Sequence, residues 1–74
     1  MTELSPRQLE VLRLMPTMSG KEIAKELGIS FQTVRNTQSA IYMKFEIIDN
    51  NNRYKRNRAV LKGIRLGLID LEVT

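Results

Sequence analysis

The stretch GISFQTVRNTQSAIYMKF, residues 28–45, spaces like a helix from Phe31 to Lys44, yet one side of it carries Gln32, Arg35, Asn36 and Ser39. Val34, Ile41 and Phe45 recur at intervals of seven and four, with Thr37 or Gln38 between them. That spacing predicts a narrow core-facing stripe with a polar gap. Turned by about 100° per residue, Gln32, Arg35, Asn36, Ser39 and Met43 fall on the side away from the stripe. No acidic residue occurs from 31 to 45, whereas an ordinary solvated face mixes signs. Tyr42 flanks the core or lies at its edge.

Outward from this stretch, the chain punctuates itself clearly. Ser30 is suited to cap the helix, and Gly28 stands where a left-handed residue commonly closes the preceding one. That preceding helix starts at SGKE, with Ser19 as cap, Glu22 positioned to reach back, and Ile23, Ala24 and Leu27 on one face. Further back, LSPRQLEVL supplies Ser5 as cap, Pro6 at the first helical position and Gln8 to complete a capping box, with Leu4 and Leu9 at the ends of a hydrophobic staple. Leu9, Leu12 and Met15, with Val11 beside them, form its buried stripe, and Pro16 ends it. Toward the C-terminus, EIIDNNNR has no usable period and reads as a loop. AVLKGIRLGLI then places Ala59, Val60, Gly63, Ile64, Gly67 and Leu68 near one face, the two glycines permitting close packing. The expectation is an all-α chain, residues 1–74 as one domain, with helices over about 5–15, 19–27, 30–45 and 56–69 and a polar loop over about 46–55.

Seventy-four residues hold one modest core. Histidine and cysteine are both absent, which removes the usual general base, the commonest metal ligands and any Ser-His or Cys-His arrangement. No enzyme, metal or other cofactor is therefore expected. With no basic n-region and long apolar run at its start, and no membrane-length apolar stretch, the chain reads as cytoplasmic. Its net charge of +4 is unevenly placed. Residues 1–30 balance four basic against four acidic side chains, while residues 31–69 carry eight basic side chains against Glu46 and Asp49. A one-sided basic balance points to a polyanionic partner, nucleic acid first.

Two short helices joined by a tight turn containing Gly form a helix-turn-helix, whose second helix enters the DNA major groove. Arginine can pair with guanine O6 and N7, and asparagine with adenine N6 and N7. Taken in order, LSPRQLEVLRLM, KEIAKELGIS, TVRN, AI followed by KF, and AVLKGIRLGLI closely resemble the helix-turn-helix domain of the LuxR/GerE family of bacterial transcription regulators, over about residues 4 to 69. The resemblance implies four helices, the second and third binding DNA and the fourth serving dimerisation.

Carried onto matching positions, the resemblance implies base contacts from Arg35, Asn36 and Ser39 and backbone contacts from Lys21, Gln32, Thr33 and Lys44. Lys21, in the first turn of its helix, also suits a phosphate on local grounds. Three departures stand out. Thr37 occupies a position where many members have histidine, MPTMSG is one residue short and contains Pro16, and the eleven residues 48–58 exceed the family's usual connection. Arg53, Lys55, Arg56 and Arg58 in this insertion either extend the fourth helix at its start or form a basic arm against phosphates, the alternative being a solvated loop; phosphate is the simplest partner, because four cations at a helix start oppose its dipole.

The function expected is sequence-specific binding of double-stranded DNA and transcription regulation, with a homodimer on an inverted repeat. Leu61, Ile64, Arg65 and Leu68 are the dimer candidates, Ile64 and Leu68 being also suited to the core. RNA polymerase or a co-regulator is a further expected contact. The rival from another class is a small helical module that docks on polymerase or another regulator through its basic half.

Overall fold

The computed structural model describes residues 3–48 and 51–69, with the side chains of residues 52 and 53 outside the description. Among the described residues there are four helices and no strand: α1 (Pro6–Leu14), α2 (Gly20–Leu27), α3 (Phe31–Lys44) and α4 (Asn52–Arg65). Each of the first three starts at a serine. Ser5 accepts the Gln8 amide at 3.2 Å while Gln8 Oε1 accepts from the Ser5 amide at 2.9 Å, and Ser19 and Glu22 repeat the same box at 3.2 and 2.9 Å. The Ser19 backbone and side-chain bonds hold the Glu22 carboxyl below its usual value. Ser30 Oγ accepts the Thr33 amide at 3.1 Å. Each cap satisfies a donor that the helix start leaves open.

The ends of α2, α3 and α4 each carry a left-handed residue, whereas α1 ends at Met15 in right-handed geometry. Gly28 closes α2 at φ 67°, as its position predicts. After α3, the Ile47 amide bonds to the Tyr42 carbonyl at 2.9 Å and the Glu46 amide to the Met43 carbonyl at 3.1 Å. This is a Schellman closure, with Glu46 at φ 56° in the place usually taken by glycine. After α4 the same pair of bonds recurs, Leu68 to Gly63 at 2.8 Å and Gly67 to Ile64 at 3.1 Å, with Gly67 at φ 75°.

The fourth helix is therefore displaced from its expected span of 56–69. It begins at Asn52 inside the asparagine run and stops at Arg65. Gly67 serves as a left-handed stop rather than as a packing position within the helix. Residues 49 and 50 of the expected loop lie outside the described residues. Gly63 does serve close packing: a Cβ there would stand 2.8 Å from Ile69 Cδ1 and 3.1 Å from both Ile69 Cγ1 and Leu12 Cδ2.

α3 packs chiefly on α1 and α2, and α4 lies against α1 and α3. The core is Val11, Leu12, Met15, Ile23, Ala24, Val34, Ile41, Phe45, Ala59 and Ile69. Val34, Ile41 and Phe45, the stripe read from spacing, are all within it. Leu9 is half-buried and outside it, whereas Leu4 packs against it.

Candidate nucleic-acid interface

With Val34 and Ile41 fully buried, the rotation of α3 is fixed, and Gln32, Arg35, Asn36, Ser39 and Met43 are all exposed on its outer side. The three residues expected to contact bases therefore share one solvent-facing strip. Gln32 Nε2 donates to Asn36 Oδ1 at 3.0 Å, one turn apart, which orients the asparagine amide. Thr37 turns its hydroxyl back on its own helix and donates to the Thr33 carbonyl at 2.8 Å. This bond stays within α3 and supplies no link to another helix. The Thr33 and Ser30 hydroxyls are 2.8 Å apart at the helix start.

Beside this strip lies a cleft of about 480 Å³, bounded by the start of α2, one side of α3 from Phe31 to Tyr42, and Arg56 of α4. Arg35 and Ser39 line it together with Phe31, Gln38 and Tyr42. Burial raises the Tyr42 phenol above its ordinary pKa, and the nearby Arg56 charge acts in the opposite direction. Gln38 Nε2 is shielded from solvent and has no hydrogen-bond partner among the described residues.

The cations expected to meet phosphate divide into two groups. Lys21 is exposed at the start of α2, its ammonium 6.0 Å from the centre of the Phe31 ring. Lys44, still exposed, donates to the Glu3 carbonyl and to Gln8 Oε1, both at 2.9 Å, and so ties the last turn of α3 to the entry of α1. An ammonium has three donors, so one remains. In the insertion, Lys55 is half-buried and Arg58 exposed, while the Arg53 side chain lies outside the described residues.

Arg56 departs from expectation. Its Nη2 donates to the main-chain carbonyls of Met15 and Met18, pinning the α1–α2 connection to α4. These bonds help offset the unfavourable placement of this cation in the first turns of α4. The conflict between charge and dipole was visible in the sequence; the acceptor that resolves it lies about forty residues away and was not. Replacing Arg56 with methionine keeps the stem and leaves two part-buried carbonyls without that donor, so a loss of roughly 1–3 kcal/mol is expected in urea unfolding. The slope of log K against log salt for DNA should stay nearly unchanged, whereas losing a phosphate contact lowers it by about one.

On α4, Leu61 is 53% exposed and forms an outer surface with Arg58, Lys62, Arg65 and Leu66. Ile64 and Leu68 pack against the core. Of the four dimer candidates, Leu61 and Arg65 are thus the ones available to a partner. Sequence reasoning overlooked Phe31, which begins α3 and remains 41% exposed. An aromatic directly after a capping serine was the signal.

A short helix, a glycine turn and a second helix presenting a basic, hydrogen-bonding face are the parts of a helix-turn-helix DNA-binding domain. The chain matches the family described as bacterial regulatory proteins, luxR family, over residues 2–53. It belongs to that family, whose general function is DNA-binding transcription regulation. The match ends in the first turn of α4, leaving most of that helix beyond it. No curated protein matches the chain closely enough to count as a relative. Among the described residues no helix is long and apolar enough to cross a membrane.

Proposed function

We propose that this chain recognises a specific double-stranded DNA sequence by laying α3 in the major groove, as a homodimer on an inverted repeat. The observation that carries this reading is the exposed strip of Arg35, Asn36 and Ser39, held outward by the burial of Val34 and Ile41. Arg35 pairs with a guanine, Asn36 with an adenine, and Ser39 with a base edge. Lys21, Gln32 and Thr33 fix the register on phosphates, with the remaining donor of Lys44 and with Lys55, Arg58 and Arg53 adding sequence-independent attraction. Leu61 and Arg65 of α4 meet a second copy. A two-fold arrangement sets the two reading helices about one DNA turn apart, near 34 Å. Contact with RNA polymerase or a co-regulator then follows on the DNA.

Selection of bound sites from random duplexes tests this directly. Enrichment of a sequence with two-fold symmetry, half-sites about ten base pairs apart, is the expected result. Sedimentation of the selected complex should show two chains per site. Failure to enrich any sequence favours a protein-docking module instead, and one chain per duplex at saturation removes the dimer.

A further inference from the structure

Phe31 is an exposed aromatic in an unusual setting. Among the described residues, the other large apolar side chains left open on the surface are Met43, Ile48, Tyr54, Leu61 and Leu66; Phe31 begins the reading helix. Four residues separate it from Arg35, placing the two about 40° apart around α3, and both line the same cleft. The ring is held rather than loose. Its back lies on Gly20, where a Cβ would stand 2.8 Å from Cε1, so only glycine lets the ring rest there undisturbed. Lys21 Nζ and the Arg35 guanidinium sit over it at 6.0 and 5.9 Å from its centre. Cations near a ring face are attracted by its quadrupole, so the ring also steadies Arg35.

A fixed apolar ring at the N-terminal end of a groove helix has one natural counterpart among base edges. The thymine C5-methyl is the only apolar group that an unmodified base pair presents in the major groove, and phenylalanine is among the side chains suited to it. We infer that Phe31 is a specificity-determining residue that covers a thymine methyl next to the base pair read by Arg35. This rests on the groove-reading assignment above and adds a second chemistry to it, apolar beside hydrogen-bonding. Four helical residues rise about 6 Å, so the thymine lies within about two base pairs of the guanine.

Uracil is the probe, because replacing thymine by deoxyuridine removes the methyl and leaves every hydrogen-bonding group in place. On the selected site, each thymine is replaced in turn and the dissociation constant measured. One position per half-site should weaken binding about fourfold, the worth of one buried methyl group. In Phe31→Ala that sensitivity should vanish, while the preference at the Arg35 base pair persists. Gly20→Ala gives a second route: the ring is displaced but retained, and the uracil penalty should again fall. Its thermal midpoint, compared with the parent, separates this from loss of fold. A site that is enriched and relaxes in Arg35→Ala, yet shows no Phe31-dependent uracil penalty within two base pairs, overturns the inference and leaves the groove assignment standing. If no site is enriched, both fall together.

Discussion

Phe45→Ala should cost about 3–5 kcal/mol of folding stability, the largest loss expected from any single truncation in this chain. Phe45 is among the largest fully enclosed side chains and is 2% exposed. It caps the C-terminal end of α3, and its removal opens a cavity at the place where α3 meets α4. Two further contacts depend on that placement. Lys62 Nζ, reaching across from α4, donates to the Phe45 carbonyl at 3.0 Å and stands 5.7 Å from the ring centre. At roughly 0.05–0.15 kcal/mol per residue, a chain of this length has only about 4–11 kcal/mol in total, so this one truncation removes roughly a quarter of it or more. Urea unfolding followed by circular dichroism reads the effect as a lower midpoint at unchanged slope. A loss below about 1 kcal/mol would show that the rotation of α3, and hence its outward strip, is anchored elsewhere. Phe45→Leu, which keeps most of the volume, should lose markedly less.

The reach and the limits of the sequence both show in α3 and α4. Local chemistry made the first three helices legible: serine caps, partners three residues on, and a left-handed glycine are decided within one turn of chain. The periodicity of Val34, Ile41 and Phe45 added the orientation of α3, and with it the candidate base-reading strip. α4 resisted the same treatment. Its first turns are built from asparagines and cations, which local preference assigns to a loop, and they are held by Arg56 reaching carbonyls at Met15 and Met18. Lys44 and Gln8 are likewise joined across 36 residues of sequence. Such long-range bonds give the expected phosphate-contacting cations partners within the chain, and no short window on the sequence contains both partners. Phe31 is a different case: its place directly after a capping serine was legible, while its support by Gly20 and Lys21 shows only once α2 and α3 are packed together.

Arg35→Ala should lower affinity for the selected DNA site by roughly 1–3 kcal/mol, about fivefold to more than a hundredfold, and relax preference at a single base pair. The guanidinium is exposed on α3, and its approach to Phe31 keeps it near the helix rather than free in solvent. Less ordering then remains when it pairs with a guanine. Random duplexes should lose little, because their binding rests on phosphate neutralisation spread over several cations. Lys21→Ala provides the contrast. It should weaken selected and random DNA alike and lower the salt slope by about one, with base preference intact. Direct titration of both variants against both duplexes at two salt concentrations separates the roles. Equal losses for Arg35→Ala on selected and random DNA would reduce this arginine to a phosphate contact and move sequence choice to Asn36 and Ser39. No loss on either, in a protein that still folds, would instead favour a protein surface as the partner of the basic face.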